Sequence, residues 1–372
     1  MDDAAALHEQ LIRLANHFGS QTDYARAGGG NASVKHDGVL HIKPSGTTLA
    51  DLRDADLVPL RIDVLMAALT SDDPVDGDPV IAAANAARIG DSGGRRPSVE
   101  ILFHALIPDD LVLHLHPLVA NAVTCNESGK ALARQLLDDE AVWVDYIDPG
   151  VPLARGINEA RKACETRTGR PAPSITLLGN HGIIVSGNTY QEVAERTEWL
   201  TTTIQAAIDQ APAPQVHLSQ VSVDVEAMAE AFRSAVGAAA VTGSSEEFVR
   251  ANSSLASGPV SRGPLIPDQI VYSGSLPVRL PEDAARVAAT VAEFETERGR
   301  TPVVAVVPGQ AVFAVGATDR AARNALDTFL DALRVARDAD RLGEVRVMDA
   351  RERHFIETWE AEAYRQSVAA EA

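Results

Sequence analysis

One short apolar strand that ends in two histidines constrains this chain most. Residues 110–116, DLVLHLH, read as a buried β-strand with a polar end. Side chains at i and i+2 of a strand leave by the same face, so His114 and His116 project together. Two neighbouring imidazoles on such a strand need partners, and a single metal ion partners both. A third histidine, His181, stands in Gly179-Asn-His-Gly182, a tight turn between apolar strands expected at 174–178 and 183–185. Flanking glycines let the backbone approach a crowded site. Three imidazoles with one open position is the pattern of a catalytic zinc rather than a structural one. Taken alone, an HxH pair also fits two structural or exposed histidines, and His181 fits an exposed turn residue.

Glu100 lies 14 residues before His114, in PSVEILFH (97–104). A helix is expected over 98–106, with Ser98 as its cap and Pro108 as its stop. That puts Glu100 in the first turn, where the helix dipole alone would favour a carboxylate. The functional reading is a carboxylate facing the metal, able to take a proton from an activated carbon or hydroxyl. His104, four residues on, shares that helix face.

Residues 28–33, GGGNAS, run into another expected strand. They fit neither GxxxxGK[ST] nor GxGxxG with a following helix, so a nucleotide fold is not indicated. A glycine turn ending in Asn and Ser can still offer backbone N–H groups and short polar side chains to an oxyanion. Ser45 and Gly46, in the polar loop 44–49, can do the same. An ordinary hairpin loop is the alternative for both.

At roughly 100–200 residues per domain, a 372-residue chain suggests two domains. Ala211-Pro-Ala-Pro214 interrupts a helix expected over 189–210 and has no core residues, as a linker does. The expected division is 1–212 and 213–372. In the second half, helices are expected near 223–237, 282–298 and 319–340, and strands near 269–273, 303–307 and 312–315. This is a smaller α/β layer domain, followed by a last helix over 351–368 that carries Trp359 and Tyr364. The net charge of −19 repels phosphate backbones and anionic lipid, which argues against nucleic acid and membrane surfaces as partners. No apolar run reaches membrane-spanning length, and the N-terminus lacks the basic and apolar regions of a signal peptide. Two cysteines outside any CxxC pattern complete the expectation of a cytoplasmic protein.

Five stretches, in this order, resemble the class II aldolase/adducin family: GGGNASVK (28–35), IKPSGTTL (42–49), PSVEILFHALIP (97–108), LHLHP (113–117) and GNHGIIVSG (179–187). In the second half, SRGPLIPDQIVYSG and TPVVAVVPGQAVFAVGATDRAARNALD resemble the longer members. Those are similar to the aldolase part of bifunctional rhamnulose-1-phosphate aldolase/lactaldehyde dehydrogenase proteins, and no dehydrogenase domain is expected within residues 1–372. The resemblance implies a three-layer α/β/α domain around a mainly antiparallel sheet, a homotetramer, and Zn2+ (or Mn2+ or Co2+) on His114, His116 and His181. It implies Glu100 as catalytic acid/base and Gly30, Asn31, Ser45, Gly46 and Ser98 as the pocket for a phosphate or carboxylate. Tyr146, just before Asp148-Pro149-Gly150, is the candidate for the tyrosine that some members use. Two departures bear on substrate. Shorter aldolases carry two serines where this chain has Ser98-Val99, and the bifunctional proteins often carry an arginine that Pro267-Asp268-Gln-Ile-Val-Tyr272 lacks.

The expected chemistry is metal-dependent retro-aldol cleavage of a ketose or ketose phosphate through a metal-bound enediolate. Decarboxylation of a sugar-acid phosphate and epimerisation of a pentulose phosphate would pass through the same intermediate. A non-catalytic adducin-like scaffold would be expected to have lost the ligands, and all three histidines and Glu100 are present. A purely structural metal would instead make folding depend on the ion.

Overall fold

The computed structural model describes residues 3–73, 75–90, 93–213, 218 and 220–360. Its contacts divide the chain into two compact units, Met1–Thr124 with Ser128–Asp209, and Cys125–Glu127 with Gln210–Ala372. Pro214 of the expected linker, and the last helix beyond residue 360 with Tyr364, lie outside the described residues.

The first unit begins with α1 (Asp3–Gly19), the hairpin β1 (Asn31–His36) and β2 (Val39–Ile42), then β3 (Val58–Arg61), α2 (Ile62–Thr70) and α3 (Pro79–Ala87). It continues with α4 (Ile101–Leu106), β4 (Leu111–Leu115), α5 (Leu118–Thr124), α6 (Gly129–Leu137), β5 (Ala141–Val144) and α7 (Val151–Thr168). The hairpin β6 (Ile175–Leu178) and β7 (Gly182–Gly187) precedes α8 (Tyr190–Gln210). The seven strands form one sheet in the order β3-β2-β1-β4-β7-β6-β5, antiparallel except where β5 runs parallel to β6.

Strand alternation assigns the faces. Leu40, Ile42, Val112 and Ile184 enter a core shared with Leu65 and Leu69 of α2, Val80 of α3, Ile101 and Phe103 of α4, and Leu153 and Ile157 of α7. The register pairs Ser33 with Ile42 and with Val112, so Asn31, Ser33 and Lys35 point to this same side. The opposite set, Ala32, Val34 and His36, faces α1, and α8 is tied to α1 by Tyr190 N–H donating to Gln10 Oε1 at 2.8 Å. The arrangement is the expected three-layer α/β/α sandwich around a mainly antiparallel sheet.

The second unit contains α9 (Val225–Val236), β8 (Ala240–Ser244), α10 (Glu247–Ala251), α11 (Ser253–Ser257), α12 (Pro259–Arg262) and α13 (Pro267–Ser273). Then come β9 (Val278–Arg279), α14 (Val287–Arg298), β10 (Val304–Val307), β11 (Ala311–Gly316), α15 (Asp319–Leu342) and α16 (Ala350–Thr358). Its four strands run β8-β11-β10-β9. Phe232 of α9, Val291 of α14 and Phe313 of β11 share one core.

Residues 269–273, expected as a strand, are helical. Pro267 at the first helical position fixes a helical φ and gives up an N–H that would be orphaned there anyway. Gln269 then accepts from Leu265 N–H, and Ser273 Oγ donates to Gln269 O. These local bonds outweigh the β-preference of Ile270 and Val271. The second sheet takes its outer strands from β8 and the two-residue β9 instead. The segment Cys125–Glu127 adds to this unit through Arg346 N–H to Cys125 O and Glu127 N–H to Glu344 O, both 2.9 Å.

Candidate functional site

Antiparallel pairing of β4 with β7 and β1 builds one wall of the site. His114 lies opposite Ile184 on one side and Asn31 on the other. Its Nδ1 is 2.8 Å from Ile183 O. A carbonyl only accepts, so Nδ1 carries the proton and Nε2 presents a lone pair. His116 follows the end of β4, anchored by its N–H to Tyr24 O, and its Nε2 lies 3.0 Å from His114 Nε2. His181 sits in the turn between β6 and β7. There Asn180 adopts φ 48° and His181 N–H closes onto Leu178 O. Gly182 must be glycine, because a Cβ there would lie 2.3 Å from Leu115 O and 2.6 Å from the His116 ring.

The three ring centroids stand 4.8, 5.0 and 5.4 Å apart. One nitrogen from each ring lies within 4.8 Å of the others, so the triad could hold a metal ion. The donor chemistry fits. The two Nε2 atoms 3.0 Å apart need a cation or proton between them, and imidazole is a preferred ligand of zinc-class divalent ions. Burial also pushes His181 down to about 4 against the pull of Glu100, which leaves a neutral imidazole with its lone pair available.

Glu100 does not occupy the first turn of α4, as the sequence suggested; it is the residue just before it, with φ −97° and ψ 7° and no capping bond from its carboxylate. Ser98 Oγ accepts from Glu100 N–H at 3.2 Å, so a short side-chain turn delays the start of the helix. The carboxylate is thereby released toward the histidines. Oε1 lies 3.1 Å from His114 Nε2 and 3.5 Å from His181 Nε2, while Oε2 accepts from the Asn31 side-chain amide at 3.2 Å. Burial works to raise this carboxyl, but the His114 and His181 rings outweigh it and hold Glu100 well below the usual carboxylate range. His104, one turn on, points elsewhere. Its Nδ1 pairs with Ser33 Oγ at 2.7 Å, and burial holds it well below the ordinary histidine value.

The glycine loop and the second polar loop meet on the same side of the sheet. Gly30 has φ +74°, and a Cβ there would lie 2.9 Å from His114 O, so it packs directly on the histidine strand. Asn31 holds both Glu100 and, through its Oδ1, the N–H of Ala32. Ser45 N–H donates to Arg96 O, and Pro44 bridges Pro97, which ties residues 44–46 to the segment carrying Ser98 and Glu100. Gly46, with φ +84°, is exposed at the tip.

Lys43, which the motif reading left without a role, staples these loops. Its side chain is only 2 % exposed and its ammonium donates to Thr47 O at 2.7 Å and to Gly28 O at 3.4 Å. The available signal was a lysine in an otherwise alternating strand, directly before Pro44. Tyr146 lies two residues past β5, half-buried. Its main-chain nitrogen is 3.0 Å from where a Cβ on Gly179 would sit, so its backbone borders the His181 turn.

Comparison with known proteins follows the same two parts. Residues 9–208 match the family described as the class II aldolase and adducin N-terminal domain, and residues 290–365 match the aldolase class II second domain. A Bacillus subtilis (strain 168) protein named uncharacterized oxidoreductase YuxG is 28% identical over 198 residues, which is 51% of this chain but only 28% of that protein's length. The 3-oxo-tetronate 4-phosphate decarboxylases of two Escherichia coli strains are 29% and 28% identical over 206 residues, covering 53% of this chain and 84% of each relative. Among solved structures, the N-terminal class II aldolase domain of a conserved Thermoplasma acidophilum protein is 23% identical, with a TM-score of 0.47 over 54% of this chain and 93% of its own. L-fuculose-1-phosphate aldolase from Thermus thermophilus is 18% identical, with a TM-score of 0.38 over 56% of this chain and 100% of its own. With its first matched segment alone spanning more than half of the 372 residues, this chain belongs to the class II aldolase and adducin family.

Proposed function

We propose that the chain is a zinc-class metal-dependent lyase that cleaves a ketose or ketose phosphate by a retro-aldol reaction, with Glu100 as acid/base and His114, His116 and His181 as metal ligands. The observation that carries this reading is the Glu100 carboxylate set 3.1 and 3.5 Å from the Nε2 atoms of His114 and His181. A divalent cation held by His114, His116 and His181 would supply an electrostatic sink for the charge that develops as the C3–C4 bond breaks. The chain's own groups then have separable tasks. Ile183 O and the glycine-flanked turn hold His114 and His181 in the geometry that favours binding over rearrangement. The Asn31 amide engages Glu100 Oε2 and so leaves Oε1 as the atom that takes or returns a proton at the substrate carbon. With its carboxyl held low, Glu100 enters the reaction ionised.

Gly30, Asn31, Ser45, Gly46 and Ser98 are the proposed anion pocket, in the loops that Lys43 draws together. Tyr146 is the proposed second acid/base, for the C4 hydroxyl. A cytoplasmic location, from the cysteine pattern, and a tetramer, from the family resemblance, are part of this proposal. Among the described residues no helix is long and apolar enough to cross a membrane.

A second reading, decarboxylation of a sugar-acid phosphate, is favoured by the E. coli relatives named for that reaction, which match over 84% of their own length. One screen separates the two. Zinc-loaded protein is offered ketose phosphates and 3-oxo-acid phosphates, and both aldehyde and CO2 are measured. Aldehyde from a ketose phosphate, lost on chelation with the fold intact by circular dichroism, supports the aldolase. CO2 release with no aldehyde overturns it in favour of the decarboxylase. Unfolding on chelation would instead assign the metal a structural role.

A further inference from the structure

The face of β1 opposite Glu100 carries a second histidine cluster. His36 ends β1, and His41 lies on β2 opposite Val34, so both imidazoles leave the hairpin on the α1 side. His8 of α1 meets them there. The ring centroids are 5.1 Å apart for His8 and His36, 4.5 Å for His8 and His41, and 4.7 Å for His36 and His41. One nitrogen from each lies within 4.8 Å of the others. All three line a cleft of about 820 Å3, and all three are half-buried.

The partners of these rings decide where their lone pairs point. His8 Nδ1 contacts the Asp54 carboxylate, and Asp37 Oδ2 stands 3.5 Å from His36 Nδ1. The Asp54 carboxylate draws the N–H tautomer of His8 to Nδ1, which leaves its Nε2 as the lone-pair atom, whereas His36 Nδ1 makes no hydrogen bond. The Nε2 atoms of His8 and His36 face each other at 3.0 Å. A proton carried by His36 Nε2 satisfies that contact in the metal-free protein, and a cation between the rings replaces it when bound. The cations that also line the cleft are engaged elsewhere. Arg13 stacks on the Tyr190 ring at 4.0 Å, and Arg53 is held by Asp56 at 3.1 Å.

We propose that His8, His36 and His41 form a second divalent-metal site, for an ion of the zinc, cobalt or nickel class, with Asp54 orienting His8 from behind. Imidazoles backed by a carboxylate suit these ions and not calcium or magnesium, which take oxygen ligands. Bonds of about 2.1 Å bring tetrahedral ligand nitrogens to roughly 3.4 Å, so closing the triangle requires ring movements on the order of 1 Å. The ion would cross-link α1 to the β1–β2 hairpin. The site is separate from the Glu100 centre, since it lies across the sheet and shares no ligand with it.

The test is stoichiometry. Chelator-stripped, dialysed full-length chain is titrated with Co2+, followed by calorimetry and by the cobalt d–d absorption bands. The wild type takes up two equivalents, and the His36→Gln/His41→Gln variant loses one and keeps the other. The His114→Gln/His181→Gln variant retains one equivalent, and its melting temperature rises on adding zinc, a rise that vanishes when His8→Gln and His36→Gln are added. His36 and His41 sit at a half-buried hairpin surface, so that arm reads binding even where the buried-histidine variant folds poorly. Equal stoichiometry in the wild type and His36→Gln/His41→Gln overturns the proposal, whether the shared value is one or two. A failure of the Glu100 centre alone would show differently, as one equivalent that depends on His36 and His41.

Discussion

Lys35 offers a quantitative check on how the Glu100 helix is held. Its side chain is 7 % exposed, and its ammonium donates to His104 O at 3.0 Å. That carbonyl lies in the last turn of α4, where helix carbonyls lack internal partners and a cation is favoured. Burial lowers the Lys35 pKa from 10.5 to about 8, only partly offset by Asp109 and Asp110. The gap corresponds to about 3 kcal/mol by which folding disfavours the charged form. The unfolded chain binds the proton more tightly, so stability rises with pH between about 8 and 10.5 and the full penalty applies below 8. A Lys35→Met substitution removes the penalty and keeps the apolar stem, but it loses the bond to His104 O, worth about 1 kcal/mol. The variant should therefore be more stable than the wild type by about 2 kcal/mol at pH 7. Above pH 10.5 it should be less stable by about 1 kcal/mol. Urea unfolding at pH 7, 8, 9, 10 and 10.5 tests this in a Trp359→Phe background, where Trp143 and Trp199 report on the first unit. Other titrations cancel in the difference between the variants. A difference that stays constant across this range refutes the argument, because Lys35 would then carry no buried-charge penalty.

Three further outcomes are expected. Glu100→Gln should keep zinc stoichiometry but lower turnover by roughly 10²–10⁴-fold, the usual contribution of a positioned acid/base; unchanged turnover on the best substrate would remove Glu100 from the chemistry. Gly182→Ala should cost about 1–3 kcal/mol through overpacking against Leu115 O and the His116 ring, and should weaken zinc binding in a competition titration with a chromophoric chelator. Ser33→Ala removes the 2.7 Å partner of a fully buried His104 ring and should lower stability by about 1–3 kcal/mol, read as a fall in thermal midpoint with zinc binding unchanged.

Much of the first centre was legible because short-range rules set it. The i and i+2 spacing placed His114 and His116 together, and the glycine-flanked turn placed His181 between two strands, as β6 and β7 now show. Long runs such as α8 and α15 declared themselves through helical periodicity. What the sequence could not decide were competitions between local preferences. Ser98 looked like a helix cap, yet its hydroxyl binds Glu100 N–H and starts α4 one residue after the glutamate. The Ile270-Val-Tyr272 run looked like a strand, yet Pro267 and Gln269 make it a helix. β8 carries Gly243 against the Phe313 ring, 2.5 Å from where a Cβ would lie, so packing rather than alternation defines that strand. The cage around Lys43 and the meeting of His8 with His36 and His41 join residues distant in sequence, and no spacing rule reaches them.

β1 brings these observations into one frame. Its odd residues, Asn31, Ser33 and Lys35, reach in turn the Glu100 carboxylate, the His104 ring and the His104 carbonyl, so one strand edge fixes both ends of the α4 segment. Its even residues, Ala32, Val34 and His36, face α1 and end at the second histidine cluster. A one-residue slip of β1 would exchange the two sets, putting Ala32 and Val34 toward Glu100 and burying Lys35 against α1. Register is held against that slip by pairing on both sides, Ser33 with Ile42 and Asn31 with His114, and by the positive φ of Gly30 that starts the strand. The glycine loop thus has a structural duty independent of any anion it binds. Substitution at Gly30 should disturb the carboxylate, the histidine wall and the α1 face together, whereas truncating the Ser45 side chain should act on substrate affinity alone.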